Sequence, residues 1–215
     1  MSNLNKRTQP SDDDIQRYDL KPSFSNNLFE QVLQRENLQT AWKQVRANKG
    51  AAGIDGMTIE EFPVWVKSGE WTLLVTKLEG GDYKPTPVRR VEIEKPDGGT
   101  RQLGIPTVKD RVIQQAIAQV LTPIFDPLFS ENSFGFRPNR NGQQAVKQVQ
   151  KIIKEGRRFA VDVDLSKFFD RVNHDLLMTL LARKIQDKCL LKLISCYLRA
   201  GIMDQQLFIA SKEGV

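Results

Sequence analysis

The sequence predicts an α+β fold, and three observations predict it. The stretch Phe159–Leu177, FAVDVDLSKFFDRVNHDLL, alternates with period two and then changes to helical spacing. Residues 83–105 alternate apolar and charged side chains around PDGG, the pattern of a hairpin with a tight turn. Around these strand signals, several longer segments carry apolar residues at i, i+3, i+4 and i+7, the stripe of an amphipathic helix.

Composition sets the outer bounds. The chain has 215 residues, 40% hydrophobic and 27% charged, an ordinary globular balance long enough for one large or two small cores. Its net charge of +6 favours a nucleic-acid partner. No apolar run approaches the roughly 20 residues that span a membrane, and the polar start carries no signal-peptide core. These features are the basis for expecting a cytoplasmic protein with no membrane partner. Cys189 and Cys196 lie on one predicted helix, too far apart for a disulfide, and read as reduced, half-buried core residues.

In chain order, residues 1–27 are polar, include SDDD, and read as a mobile tail. A first helix is expected from Leu28 to Asn48, with Leu38, Ala41, Trp42 and Val45 facing the core. NKGAAGIDGMT then turns the chain, and Thr58 with Glu61 forms a capping box that opens a short helix. In the hairpin, Val91 and Ile93 alternate with charges, Leu103 and Ile105 alternate on the return strand, and Lys95 and Arg101 flank the turn. A lysine point charge beside an arginine fork can grip a triphosphate, although solvated hairpin charge has the same sequence signature. Thr107 and Asp110 cap the next helix, whose core face is Val112, Ile113, Ala116, Ile117, Val120 and Leu121 and which is expected to stop before Pro123.

FSENSFGFRPNRNG is an aromatic and basic turn. Arg137 and Arg140 have Phe134 and Phe136 as neighbours, a mixture suited to holding a nucleic-acid strand, with Phe136 expected to anchor in the core. A helix over residues 142–155 would bury Val146, Val149, Ile152 and Ile153 and present Lys147, Lys151 and Lys154 on its other side. From Arg137 to Arg158 there are seven basic residues (Arg137, Arg140, Lys147, Lys151, Lys154, Arg157, Arg158) against one acid, a local balance of +6 that equals the net charge of the chain. This is the expected backbone-binding face.

The stretch that carries the chemistry is Phe159–Leu177. As a strand it would place Val161, Val163 and Leu165 on an apolar face and Ala160, Asp162 and Asp164 on the other. Buried carboxylates need a partner, and a divalent metal is one; solvated acids on an exposed strand are the competing reading. Asn173 caps the following helix, with Leu176, Leu177, Leu180 and Leu181 at helical spacing. Asp187 caps a last helix that turns Leu190, Leu191, Ile194 and Leu198 inward and ends at Gly201. GIMDQQLFIASKEGV reads as short strands.

DVDLSKFFDRVNHDLL resembles the first catalytic motif of reverse transcriptases, in particular those encoded by group II introns. K-x-D-G-x-x-R-x-L-G-I-P is similar to their fingers hairpin, and FGFRP-x-R to a second fingers motif; Gln102 stands where the family usually has proline. The resemblance implies the fingers and part of the palm of a right-hand polymerase: a tail (1–27), an N-terminal extension that contacts RNA (28–62), fingers (63–158) and the first part of the palm (159–215). It implies RNA-directed DNA synthesis, intron mobility and maturase-type intron RNA binding. Asp164, with the Leu165 carbonyl, would bind Mg2+ in a two-metal site. Lys95 and Arg101 would bind the triphosphate. Phe169, with Phe168 beside it, would lie under the sugar of the incoming nucleotide, and Asp162 would be a supporting residue.

The partners implied are an intron RNA template, a DNA primer or target and deoxynucleoside triphosphates, with a C-terminal half or a second copy to complete the enzyme. The family's second metal-binding motif, Tyr-x-Asp-Asp, has no counterpart after Asp164; the nearest acid run is Asp12–Asp14. The expectation is therefore a truncated chain, inactive alone. The alternative function is a non-catalytic RNA-binding fragment or split half that assists splicing.

Overall fold

The computed structural model describes residues 27–94, 96, 98–205 and 207–214. The tail over 1–26 and Lys95 lie outside the described residues.

The predicted first helix is two helices, α1 (Leu28–Leu33) and α2 (Arg35–Ala47). Gln34 leaves the helical region with ψ 136°. The break is stabilised by Asn37, whose amide donates to the Val32 carbonyl and to the Ala116 carbonyl of a later helix, each at 3.1 Å. Ala41 and Val45 are buried as the stripe predicts. The Thr58–Glu61 box forms, with the Thr58 N–H donating to Glu61 Oε2 at 2.8 Å and the Glu61 N–H to Thr58 Oγ1 at 3.3 Å. These bonds hold the Glu61 carboxyl below its usual range. Helices α3 (Phe62–Lys67) and α4 (Glu70–Glu79) follow. Trp42, Phe62, Trp65 and Trp71 pack ring against ring at 4.7–6.2 Å.

The hairpin is β1 (Val88–Glu94) with β2 (Thr100–Ile105), Val91 opposite Leu103 and Ile93 opposite Arg101. Two short strands, β3 (Ile202–Asp204) and β4 (Leu207–Ile209), complete a sheet of order β2-β1-β3-β4, with β1 and β3 parallel. Gly104 is required in β2, because a Cβ there would sit 2.7 Å from the Val88 side chain.

Helix α5 (Val108–Phe125) is the axis of the core: Val108, Val112, Ile113, Ala116 and Ile117 are buried along one face. Full burial of each larger side chain contributes about 1.5–3 kcal/mol. Pro123 does not stop this helix, as the sequence led one to expect, but sits in its last turn. There it removes one terminal hydrogen bond, and the Thr122 hydroxyl binds the Ala118 carbonyl at 2.6 Å.

Helix α7 (His174–Ala182) is capped by Asn173, and α8 (Lys188–Leu198) by Asp187. Asp187 does more than cap: its second oxygen accepts the Phe29 N–H at 2.8 Å, tying α8 to the start of α1. Leu190 and Leu193 are the buried residues of α8. Cys196 is half-buried, but Cys189, on the same face in the first turn of α8, is exposed rather than half-buried.

Two further expectations fail, and both fail for want of a covering layer. Helix α6 (Gly142–Lys154) forms with an Asn141–Gln144 capping box, but Val146, Val149 and Ile153 are exposed. Residues 159–165 do not form a strand. Phe159, Val161, Val163 and Leu165 are all exposed, because among the described residues no strand pairs with this segment and none packs on it. Alternation specifies two faces, but a strand also requires a neighbour for its N–H and C=O groups.

Candidate nucleotide and RNA site

Asp164 stands on the extended segment, exposed, with Oδ1 accepting the Leu165 N–H at 2.9 Å. Asp162 is exposed two residues before it. The chain then turns through Lys167, which holds a left-handed φ of 52°, a strained conformation for a side-chain-bearing residue. Phe168 and Phe169 follow, edge to face at 5.3 Å and both more than half exposed, so one aromatic face is available to a sugar or base.

The turn is held from behind. Gly214 donates its N–H to the Val172 carbonyl at 2.9 Å, and its own carbonyl lies 2.6 Å from Nε2 of the buried His174. Gly214 has φ 84°, and a Cβ there would sit 3.0 Å from the Asp170 carbonyl. Sequence reasoning missed His174. Its only signal was its place in the first turn after the Asn173 cap.

A cleft of about 850 Å³ joins this turn to the hairpin. Lys167 and Asp170 line one side, Arg90, Gln102 and Gly104 the other. Arg90 is paired with Asp204 at 3.1 Å. Arg101 is exposed on β2, opposite Ile93. The structure therefore brings Lys167 and Asp170, next to the Asp164 turn, to one cleft with the hairpin, while Asp164, Leu165, Phe168, Phe169 and Arg101 do not line it.

Ahead of the segment in the chain, Lys147, Lys151, Lys154, Arg157 and Arg158 are all exposed. Arg140 is partly engaged: it bonds Glu131 at 2.7 Å and lies over the Phe134 ring at 5.6 Å. That bond holds the Glu131 carboxyl below its usual range. Arg137 is fully engaged. Its side chain is 6% exposed, and all five N–H donors go to the Asp126 carboxylate and the carbonyls of Asp126, Ser130 and Ser133. Asp126 is in turn held below the ordinary carboxylate range by the Arg137 hydrogen bond. Phe136, expected in the core, is fully exposed at φ 55°. The left-handed backbone turns it outward, and Arg137 occupies the interior of the turn instead.

Asp164 and the Leu165 carbonyl are hard oxygen donors of the kind magnesium takes. They fit one side of its coordination shell. Among the described residues no group of three or more His, Cys, Asp or Glu side chains could hold a metal.

A profile of the family described as reverse transcriptase (RNA-dependent DNA polymerase) matches residues 93–214, from the hairpin through the Asp164 turn to Gly214. The chain belongs to the reverse transcriptase family, and its α+β architecture is the fingers and partial palm of a right-hand polymerase. Within that family its likeness runs to the group II intron-encoded reverse transcriptases and maturases. It is 35% identical to protein YkfC of Escherichia coli over 87% of this chain and 51% of that protein. It is 32% identical to the group II intron-encoded protein LtrA of Lactococcus lactis, over 87% of this chain and 31% of LtrA. It is likewise 32% identical to a putative COX1/OXI3 intron 1 protein of Saccharomyces cerevisiae, over 86% of this chain and 22% of that protein. The chain thus spans about half or less of the length of these relatives.

Proposed function

We propose that this chain works in RNA-templated DNA synthesis by a group II intron-type protein, and that it binds intron RNA. The observation that carries the reading is the family match, which runs from the hairpin through the Asp164 turn to Gly214; a cleft of about 850 Å³ between the hairpin and Lys167 and Asp170 has room for a nucleotide. The primer 3′-hydroxyl attacks the α-phosphate of a deoxynucleoside triphosphate and pyrophosphate leaves. Arg101 and Lys95 grip the triphosphate, and Phe169, backed by Phe168, lies under the sugar and disfavours a 2′-hydroxyl. Asp164 and the Leu165 carbonyl would hold magnesium, which neutralises charge on the transferring phosphate and on the attacking and leaving oxygens. Lys147, Lys151, Lys154, Arg157 and Arg158 form the template face, with Arg140 at its edge. Arg137 shapes the turn beside that face and holds no free donor for a phosphate.

The test is primer extension on intron RNA by the protein in its native, full-length form. Asp164→Asn is expected to lower the extension rate on the order of 1,000-fold while RNA affinity stays within about twofold, because carboxylate and phosphate contacts are separate. Equal extension rates for the two proteins would remove Asp164 from its role. Intron RNA binding with no extension by either would leave a non-catalytic RNA-binding function.

A further inference from the structure

One buried carboxylate lies outside this machinery. Asp110, in the first turn of α5, is 0% exposed and has no cation as partner among the described residues. Its Oδ1 accepts the Tyr83 hydroxyl at 2.5 Å and the Tyr197 hydroxyl at 3.2 Å. Its Oδ2 accepts the Thr107 hydroxyl at 2.5 Å and the Thr86 N–H at 3.4 Å. An ionised carboxylate is acceptor-only, with about four lone-pair sites, and here it meets four donors. A helix cap needs Thr107 alone. The two tyrosines and Thr86 come from elsewhere, and their origins form a pattern.

Tyr83 and Thr86 lie just ahead of β1, which begins at Val88. Thr107 and Asp110 lie just after β2, which ends at Ile105. Tyr197 lies near the end of α8, just ahead of β3, which begins at Ile202. The three strands are neighbours in the order β2-β1-β3. One carboxylate thus collects a donor from the chain entering or leaving each of them, at the end of the hairpin opposite its turn. Tyr197 also lines the cleft itself.

We propose that Asp110 is a positioning residue: by gathering Tyr83, Thr86, Thr107 and Tyr197 it fixes the angle of the β1–β2 hairpin over the cleft and so sets the affinity for the incoming nucleotide. This rests on the reading that the hairpin grips the triphosphate. An arm anchored at its base tilts at its tip when the base loosens, and binding geometry is lost before the chemistry is. An asparagine would fit the space, but its amide would present donors to groups that already donate. The hydroxyls can rotate to accept; the Thr86 N–H cannot.

The experiment is a nucleotide titration of primer extension by the full protein, paired with hydrogen exchange over residues 88–105. Tyr197→Phe removes one donor with little change of volume, and Asp110→Asn removes the hub. Asp110→Asn is expected to raise KM for the nucleotide about 10-fold with kcat within about twofold, and Tyr197→Phe about 3-fold. Hairpin amides should exchange faster in the same order. Lower thermal stability with KM and hairpin exchange both unchanged would make Asp110 merely structural and overturn the proposal. If Asp110→Asn does not fold, Tyr197→Phe and Tyr83→Phe decide by the same two readouts. Arg101→Ala separates this proposal from the reading it rests on. An unchanged KM in that variant would sink the triphosphate role of the hairpin, while hairpin exchange in the Asp110 and tyrosine variants would still decide whether the carboxylate positions it.

Discussion

The region around α5 and the region from Phe136 to Leu165 are built from similar apolar patterns and reach opposite ends. Around α5, Val112, Ile113, Ala116 and Ile117 are buried in a core that they share with Ala41 and Val45 of α2, Leu28 and Val32 of α1 and Leu190 of α8, while the expected Val120 and Leu121 are half-buried. The polar groups that go in with them are matched, Asp110 with four donors and Asp187 with two. From Phe136 to Leu165 the same kinds of side chain, Val146, Val149, Ile153, Phe159, Val161 and Val163, stand exposed beside the Asp164 carboxylate and five cations that have no ion-pair partner among the described residues. Periodicity states which residues share a face. It does not state what covers that face. In this molecule the covered half is the scaffold and the uncovered half carries the groups that would meet nucleic acid.

The largest effect that can break this contrast is a cavity. Ile113→Ala is expected to cost about 2–5 kcal/mol, since its site is fully enclosed, whereas Val149→Ala should stay within about 0.5 kcal/mol. Denaturant unfolding of both variants measures the difference; equal costs would mean that the face of α6 is covered in solution. A smaller effect sharpens the scaffold side. Burial and the neighbouring Asp110 push the phenols of both Tyr83 and Tyr197 well above their ordinary range. Folded-state values raised in this way give stability that is complete below the unfolded value of about 10 and lost as pH rises beyond it. Thermal melts between neutral and strongly alkaline pH should therefore show a steep alkaline loss that Tyr83→Phe makes shallower. An unchanged slope in that variant would mean that its hydroxyl is not enclosed.

Local chemistry was the legible part of the fold. Thr58 with Glu61, Thr107 with Asp110, Asn173 and Asp187 all cap as their spacing predicts, because a cap is decided within four residues. The hairpin over residues 83–105 was legible for the same reason, its two strands forming on either side of the PDGG stretch. What was not legible depends on distant partners. Nothing near Asp110 announces Tyr197, 87 residues away, and nothing near Asn37 announces the Ala116 carbonyl that stabilises the break between α1 and α2. At the candidate site, the residue types of the Asp164 turn were legible, but the enclosure of Arg137 was not. A basic residue in an aromatic turn has one sequence signature whether it faces solvent or four internal acceptor groups. The His174–Gly214 contact depends on a residue 40 positions later.

The most direct measurement is backbone hydrogen exchange of the protein free and bound to intron RNA. In the free protein, residues 159–165 should exchange almost without protection and α5 slowly, as unpaired and enclosed backbone do. On binding, residues 142–165 should gain protection, with Lys147, Lys151, Lys154, Arg157 and Arg158 at its centre, while α5 stays unchanged. Protection confined to α5 and the outer face of α2, with residues 142–165 still exchanging freely, would contradict the placement of nucleic acid on the uncovered half.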